Sequence, residues 1–190
     1  KEIWNKNLLY KGFKIVPYCP RCGTPLSSQE VAQGYKLVKE RSAVVRFKVV
    51  GEDAYFLAWT TTPWTLPSNV ALCVNPVETY VKIKVGDEKF ILAEALVEAN
   101  FPDTEYEVVE KYVGTDLEYK EYEPLFNFVT PDKKAYYVTC DSYVTLTDGT
   151  GIVHIAPAFG EDDSKVGHRY DLPFVQLVNE KGEMTEETPW

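Results

Sequence analysis

The length and composition of the chain suit one globular domain, since it has 190 residues of which 45% are hydrophobic and 26% charged. No apolar run approaches the roughly 20 residues that a membrane-spanning helix needs, and the start lacks the basic and apolar parts of a signal peptide. The net charge of −9 is uneven: residues 1–50 carry ten Lys and Arg against three Asp and Glu, and residues 51–190 carry ten against twenty-six. This distribution excludes a uniform coat for nucleic acid but allows a local phosphate contact near the N-terminal part.

The cysteines indicate the compartment. Four are present, and only Cys19 and Cys22 are close in sequence, as Cys-Pro-Arg-Cys. A chain this long with so few cysteines does not need a disulfide framework, so we predict a reducing, cytoplasmic environment. Because the chain does not begin with Met, we expect it to be an excised part of a longer protein.

The first 42 residues show little regular pattern. The spacing of Trp4, Leu8 and Leu9 predicts the end of a helix over Glu2–Lys11, and an extended stretch over Phe13–Tyr18 leads to the cysteine pair. Linker-like polar residues follow to about residue 42. We therefore divide the chain into an N-terminal segment, residues 1–42, and a main domain, residues 43–190.

The main domain is predicted to be mainly β with a few short helices. The predicted strands are Ala43–Val50, Ala54–Thr60, Thr79–Val85, Lys89–Leu92, Tyr106–Val109, Ala135–Cys140, Tyr143–Thr147, Ile152–Ala156 and Phe174–Val178. Gly86-Asp87 and Asp148-Gly149 are predicted hairpin turns, and Glu94–Asn100 and Glu161–Arg169 are predicted helices. Many short strands separated by Gly, Pro and Asp favour a closed or strongly curved sheet.

A cluster of hydroxyl groups follows the predicted strand Ala54–Thr60. Its sequence is Trp59-Thr60-Thr61-Thr62-Pro63-Trp64-Thr65-Leu66-Pro67-Ser68-Asn69. By composition alone, such a segment is more often a β-rich stretch with a loop punctuated by proline. Successive side chains on an extended chain point to opposite faces, however, so at least one threonine is expected to face the interior. Pro63 and Pro67 stiffen the loop that follows.

A second segment contains a histidine and acidic residues. Its sequence is Gly149-Thr150-Gly151-Ile152-Val153-His154-Ile155-Ala156-Pro157-Ala158-Phe159-Gly160-Glu161-Asp162-Asp163. A lone histidine among apolar neighbours is usually part of the core, and acidic residues after a glycine usually cap a helix. Taken alone, the segment favours structural roles for His154, Asp162 and Asp163.

The cysteine pair is half of a zinc site. A tetrahedral zinc site takes four ligands, and no second Cys-x-x-Cys is present. Cys19 and Cys22 form either a plain turn or, as we prefer, a half-site completed outside this chain. Cys73 and Cys140 lie in strand-like runs and are predicted core residues. Phosphate-binding loops, a Gly-x-Ser-x-Gly elbow and spaced histidine ligands are absent from the sequence.

Three segments together resemble the editing domain of isoleucyl-tRNA synthetases. The threonine-rich segment and the segment from Gly149 to Asp163 are similar to the family's two editing motifs, and Pro17 to Ser27 looks like the zinc-binding approach to the domain. The three occur in the family's order and span nearly the whole chain. The resemblance implies a barrel-like β domain that hydrolyses the ester of valine mischarged onto tRNA(Ile), with valyl-adenylate as a further candidate. The signature sequences of amino-acid activation are absent, so only the hydrolytic step is expected.

The resemblance also implies roles for individual residues. Asp163 would pair with the substrate's α-ammonium group, since the family's acid falls nine positions after the motif's histidine. Thr60, Thr61 and Thr62 would surround the ester and help to hold the water or the oxyanion. The implied substrate-binding residues are His154, Trp64, Asn69 and Gly151. His154 would limit the side-chain pocket together with Thr62, and Trp64 and Asn69 would shape the site for the terminal adenosine.

The implied partners are the 3′ end of tRNA(Ile) carrying valine and the remainder of a parent synthetase, with no membrane and with this chain monomeric. No cofactor is expected for editing, and zinc only in the full-length enzyme, through Cys19 and Cys22. The alternatives are an editing domain of a valyl- or leucyl-tRNA synthetase and a non-catalytic zinc-ribbon or RNA-binding module. Deacylation measured on a panel of mischarged tRNAs would distinguish the valyl and leucyl editing domains. Tight RNA binding without ester hydrolysis would favour the non-catalytic module.

Overall fold

A computed structural model describes residues 1–10, 12 and 14–189 of the protein. In the N-terminal segment, helix α1 (Glu2–Asn5) is followed by a hairpin of two short strands, β1 (Tyr18–Cys19) and β2 (Thr24–Pro25), and by helix α2 (Ser28–Gln33). Helix α1 is shorter than predicted, and the predicted limits Lys11 and Phe13 lie outside the described residues.

Helix α2 lies within the stretch that was predicted to be a linker, and that prediction is wrong. Its start is a capping box: the Ser27 hydroxyl accepts a hydrogen bond from the Glu30 N–H (3.3 Å), and the Glu30 carboxylate accepts one from the Ser27 N–H (2.8 Å). The Ser-x-x-Glu spacing was visible in the sequence. The helix has no buried residue, so no apolar stripe indicated it.

Eight strands of the described part form one sheet in the main domain. They are β3 (Ala43–Lys48), β4 (Tyr55–Thr60), β5 (Ala71–Val74), β6 (Thr79–Val85), β7 (Glu88–Ala93), β8 (Glu107–Val113), β9 (Tyr137–Cys140) and β10 (Ile152–Ile155). The order is β8-β6-β7-β4-β10-β5-β9, and β3 pairs with β4 outside this path. The predicted mainly β fold with few short helices is confirmed. No described helix is both long enough and apolar enough to cross a membrane.

The helical segments of the main domain are short: four lie between strands in the sequence, and α5 follows the last strand. They are the 3₁₀ helices Pro63–Ser68 and Glu94–Leu96 and the α-helices α3 (Val97–Asn100), α4 (Gly114–Leu117) and α5 (Glu161–Arg169). The predicted helix Glu161–Arg169 is confirmed with its bounds. The predicted helix Glu94–Asn100 is present as a 3₁₀ turn that continues into α3.

The core lies on the concave and convex faces of the curled sheet. Fully buried aromatic and aliphatic side chains fill it, among them Phe47, Phe56, Tyr80, Ile91 and Ile152. A second cluster packs helix α5 onto β5, β9 and β10 through Val166. Because β5 is buried at all four positions, it shows no alternation of apolar and polar residues, and it was not predicted.

Three other predictions are wrong. Tyr143–Thr147 is not a strand, so Asp148-Gly149 is not the turn of a hairpin, and Phe174–Val178 is not a strand although Val178 makes one isolated bridge with Met184. Strand β10 pairs instead with β5, antiparallel, and with β4, parallel. Strand β10 therefore pairs with strands that are distant in sequence, and not with the nearby segment Tyr143–Thr147.

The turn before β10 depends on close backbone approach. Gly149 and Gly151 have φ angles of 76° and 72°. A Cβ at Gly149 would lie 2.8 Å from Cγ of Trp59, and one at Gly151 would lie 2.4 Å from Cβ of Ala93. The Thr150 carbonyl accepts a hydrogen bond from the Ala93 N–H (2.9 Å), which fastens the turn to the end of β7.

We expect Gly151→Ala to lower the free energy of unfolding by about 2–5 kcal/mol, since the new methyl group adds a clash to the cost of a left-handed conformation. Gly86→Ala is a matched control, because Gly86 also has a positive φ (60°) but nothing within 4 Å of an added Cβ. It should cost only about 1–2 kcal/mol. Chemical denaturation measures both, and equal losses would show that the approach to Ala93 does not matter.

Candidate functional site

The ends of strands β4 and β10 meet at one edge of the sheet. The two strands are adjacent and parallel, with Val153 opposite Trp59, so the chain leaves both in the same direction. Between their continuations lies a cavity of about 300 Å³. Its lining residues are Trp59, Thr60, Thr61, Thr62, Trp64, Thr65, Tyr143, Val153, His154, Phe159, Gly160 and Asp163. The two segments singled out in the sequence therefore form one site, which we call the threonine–aspartate cavity.

The threonines of this cavity are held by their own hydrogen bonds. The Thr60 hydroxyl is buried and accepts a hydrogen bond from the Thr62 N–H (3.0 Å). The Thr62 carbonyl accepts one from the Thr65 hydroxyl (2.8 Å) at the start of the 3₁₀ helix Pro63–Ser68. Thr61 and Thr62 are exposed residues of the lining, and the Thr62 hydroxyl lies 3.4 Å from the Thr60 hydroxyl.

His154 is a buried, neutral wall of the cavity. Its Nε2 lies 3.1 Å from the Thr65 hydroxyl, and burial lowers its pKa to about 4. Since the single Thr65 hydroxyl proton is already donated to the Thr62 carbonyl, Nε2 must carry the proton and donate to Thr65. Nδ1 is then a buried acceptor, and it has no partner among the described residues. At neutral pH the His154 ring is therefore uncharged, and it contributes its bulk and the lone pair of Nδ1 to the cavity wall.

Asp163 is the partly buried acid of the cavity. It lies in the first turn of α5, and one carboxylate oxygen accepts a hydrogen bond from the Ala156 N–H (3.0 Å). Burial raises its pKa to about 6 and the nearby Asp162 adds to this, whereas the Ala156 N–H and the Tyr143 side chain lower it. Room for the carboxylate comes from Gly160, where a Cβ would lie 2.8 Å from Cγ of Asp163. At pH 7 the cavity therefore holds a carboxylate that burial makes receptive to a cation.

The neighbouring acid has a different environment. Asp162 is exposed and makes an ion pair with Lys165 at 2.9 Å, one turn along α5. An exposed pair of this kind contributes little to stability. The structure thus separates two adjacent carboxylates that the sequence presents as equivalent helix caps.

Aromatic side chains form the rim. The rings of Trp64 and Phe159 pack edge to face, with centroids 5.4 Å apart and an interplanar angle of 86°. Trp64 is 53% exposed, so most of the face of its indole is open to solvent beside the cavity. Trp64 was singled out in the sequence, whereas Phe159 was not.

Two residues singled out in the sequence lie elsewhere. Asn69 is buried, its amide donates to the Ala71 carbonyl (2.8 Å), and its oxygen accepts from the Tyr122 hydroxyl (2.7 Å). Both amide atoms are thus occupied in the core, and the role of Asn69 in shaping a site for adenosine stays a prediction. Gly151 lines an adjacent cavity of about 230 Å³ rather than the threonine–aspartate cavity.

Thr65 and Tyr143 are site residues that the sequence reasoning missed. Thr65 belongs to the threonine-rich segment and was identifiable there. Tyr143 precedes the second segment in a stretch that was predicted to be a strand, and only the packing of that stretch brings it to the cavity.

The comparisons with known proteins bear on the whole chain. No protein-family model matches it. Over its full length it is 60% identical to the isoleucine–tRNA ligase of Clostridium acetobutylicum and 48% identical to that of Picrophilus torridus. The whole chain is therefore similar to an internal segment of isoleucine–tRNA ligases. It spans 18% of the length of these two ligases.

Solved structures show the same fold as this chain. GlLeuRS-CP1 is 18% identical, with a TM-score of 0.57 over 66% of this chain and 58% of its own. The editing domain of the P. knowlesi cytosolic leucyl-tRNA synthetase is 15% identical, with a TM-score of 0.53 over 68% and 62%. The main domain therefore has the fold of those domains.

The cysteine pair of this chain lies at the turn of the β1–β2 hairpin. The Cys22 N–H donates to the Cys19 sulfur (3.4 Å), and the hydrogen bonds from Cys22 lower the pKa of Cys19. In the described part of the chain, no third His, Cys, Asp or Glu joins them in a group that could hold a metal ion. Two thiol ligands fit half of a tetrahedral zinc site, and its completion by other residues stays a prediction.

The raised pKa of Asp163 gives a stability signature. Because the folded protein holds this proton more tightly than the unfolded chain, Asp163 adds stability as the pH falls from about 6 towards 4 and lowers stability at neutral pH. We expect Asp163→Asn to raise the free energy of unfolding at pH 7 by roughly 1–3 kcal/mol and to bring little gain at pH 4. Urea unfolding at both pH values measures this difference. Asp162→Asn, at an exposed position, should show no such gain, and equal stability of Asp163→Asn and the parent at pH 7 would contradict the burial argument.

Proposed function

We propose that this chain is an editing domain that hydrolyses the ester bond of valine mischarged onto tRNA(Ile), and that valyl-adenylate is a second substrate. The observation that carries the proposal is the position of Asp163, a partly buried carboxylate at one side of a cavity whose other side is lined by three threonines. An aminoacyl ester presents a cation and an ester carbonyl a short distance apart. The cavity presents an anion and several hydroxyl groups within a single lining.

The α-ammonium group of the substrate would bind Asp163. Every aminoacyl ester carries this group, and a charge-assisted hydrogen bond to a partly buried carboxylate is among the stronger single contacts in proteins. Binding of the cation would favour the ionised carboxylate and lower the pKa that burial has raised. This contact fixes one end of the substrate and therefore the direction in which its ester points.

Hydrolysis itself needs no nucleophilic side chain. The ester is already activated, so a water molecule can attack once both are held in position. We assign Thr60, Thr61 and Thr62 to the ester end, where the exposed hydroxyl groups of Thr61 and Thr62 can hold the water or the developing oxyanion. The neutral His154 cannot supply positive charge there and is too poor a base at a pKa of about 4 to activate water at neutral pH.

Selectivity would come from the size of the pocket. Valine differs from isoleucine by one methylene group, and recognition of a missing methylene is limited to about 1–3 kcal/mol, for which this pair of amino acids is the usual example. A second site that is too small for isoleucine overcomes the limit. We assign its wall to His154 and Thr62, because the ring of His154 is buried, uncharged and fixed by Thr65.

The partners follow from the surface. The exposed indole of Trp64 at the rim can stack on the terminal base of a tRNA. The remainder of a parent synthetase would cover apolar side chains of residues 1–42, where Trp4, Tyr10, Tyr35 and Leu37 are all more than half exposed. We further propose that the chain alone is a monomer and acts in the cytoplasm.

We expect Asp163→Ala to reduce deacylation of valine-charged tRNA(Ile) by at least about 100-fold, because the ester loses its alignment. Single-turnover deacylation measures the effect, with circular dichroism to verify folding. Asp162→Ala is the matched control at the next position and should change the rate little. Near-normal deacylation by a folded Asp163→Ala chain would exclude this role for Asp163.

We expect His154→Ala to admit isoleucine, since removal of the ring enlarges the pocket by more than one methylene group. Deacylation of isoleucine-charged tRNA(Ile) should rise relative to the valine ester, by roughly 10-fold or more. His168→Ala removes the chain's other, exposed histidine and should leave the ratio unchanged. If His154→Ala rejects isoleucine as well as the parent chain does, the ring does not set the size limit.

A further inference from the structure

A buried hydroxyl group without a partner lies in the wall of the threonine–aspartate cavity. Among the described residues, three buried side-chain atoms have no hydrogen-bond partner: the Tyr143 hydroxyl, His154 Nδ1 and Thr185 Oγ1. Two of the three line this one cavity. An unpaired buried polar atom costs stability, so its retention at a cavity indicates that a ligand or a rearranged neighbour completes it.

The backbone around Tyr143 is held firmly in place. Its N–H donates to the Asp141 carboxylate (3.1 Å), which in turn makes an ion pair with Arg169 of α5 (2.8 Å). The next carbonyl, that of Val144, accepts from the Asn75 amide (2.8 Å). The Tyr143 ring packs against the cluster that joins α5 to the sheet. The position of the hydroxyl is therefore set by the same contacts that set the position of α5 and Asp163.

Tyr143 lies between two cavities. It lines the threonine–aspartate cavity together with Asp163, and with Trp59 and Val153 it also lines the adjacent cavity of about 230 Å³. One oxygen of the Asp163 carboxylate is occupied by the Ala156 N–H. No other described side chain makes a hydrogen bond of ordinary geometry to this carboxylate, and the Tyr143 hydroxyl is the unpaired donor beside it.

The charges around Tyr143 keep it a donor. Burial raises its pKa strongly, and the carboxylates of Asp163, Asp162 and Asp141 raise it further. The thiol of Cys73 adds no charge, because burial raises its pKa to about 12. In return, the Tyr143 side chain lowers the pKa of Asp163. The protonated hydroxyl group of Tyr143 can therefore donate to the carboxylate of Asp163, which has lone pairs that accept no other hydrogen bond within the described part of the chain.

We propose that Tyr143 is a positioning residue of this site: its hydroxyl group donates to the Asp163 carboxylate and, with the Ala156 N–H, orients it towards the α-ammonium group of an aminoacyl ester. The proposal rests on the proposed function for its substrate. The Tyr143 side chain already lowers the pKa of Asp163, so the two groups interact without a ligand. A bound cation would fix the carboxylate further and tighten the hydrogen bond.

The test compares Tyr143→Phe with Tyr137→Phe. Tyr137 lies in the same cluster, and its hydroxyl donates to the Tyr170 carbonyl (3.1 Å), away from the carboxylate. The first measurement is the pKa of Asp163 by carbon NMR of its carboxyl group, assigned with Asp163→Asn. The second is the pH dependence of deacylation of valine-charged tRNA(Ile). The third is the melting temperature.

In Tyr143→Phe we expect the pKa of Asp163 and the acid limb of deacylation to rise together by about one pH unit, because the ionised carboxylate loses a donor. At pH 4, where Asp163 is protonated, the melting temperature should stay close to that of the parent chain, because only the ionised carboxylate loses a donor. In Tyr137→Phe we expect a lower melting temperature and an unchanged pKa of Asp163.

An unchanged pKa of Asp163 in Tyr143→Phe would overturn the proposal. So would a loss of melting temperature as large as that of Tyr137→Phe, or a failure to fold, because the hydroxyl would then be structural. The NMR titration needs no substrate. A parent chain that does not deacylate valine-charged tRNA(Ile) would therefore overturn the proposed function, while the titration still decides the contact between Tyr143 and Asp163.

Discussion

The pairing of β10 with β4 is the contact on which the site depends. The two strands meet over a short parallel register around Val153 and Trp59, and their ends deliver the threonines and the path to α5 to one edge of the sheet. Close approach is possible because the turn before β10 has no side chain at Gly149, which lies against the ring of Trp59. If this turn were bulkier, β10 would be displaced from β4, and Asp163 would no longer face the threonines.

Burial disfavours the charged forms of two ionisable groups in the site, His154 and Asp163, and the consequences at neutral pH are opposite. The lowered pKa of His154 leaves a neutral ring at physiological pH, so the pocket wall can be apolar in effect although its side chain is polar. The raised pKa of Asp163 leaves a carboxylate that is ionised at neutral pH at a cost to the folded state. A substrate cation would offset that cost, whereas a neutral ligand would not. Stability is thus lower at the position that we propose binds an amino group, as is common for functional sites.

The structure also shows which contacts are scaffold rather than site. The pair formed by Asn69 and the fully buried Tyr122 hydroxyl satisfies two polar groups within the core, next to the threonine-rich segment in sequence but not at the cavity. Tyr80 performs a similar task by donating to the Gly151 carbonyl (2.7 Å) and by accepting from the Asn75 N–H (2.8 Å). These buried tyrosines hold the turns that surround the cavity, so residues with polar side chains near the motifs divide into those that hold the backbone and those that face the substrate.

The sequence by itself determined the class of fold, the strands that alternate at an interface with solvent, such as β3, and the helix Glu161–Arg169, because these patterns depend on local periodicity and capping. It also pointed to both segments of the site, but only through their resemblance to the editing motifs of isoleucyl-tRNA synthetases, since by composition alone both segments favoured structural roles. Only the tertiary structure decided that β10 pairs with β4 and β5 rather than with Tyr143–Thr147, that Asp163 is partly buried while Asp162 is exposed, that Asn69 lies in the core, and that Tyr143 reaches the cavity. These outcomes depend on which distant strands pair and on which side chains lose contact with water. The local sequence pattern determines neither of them.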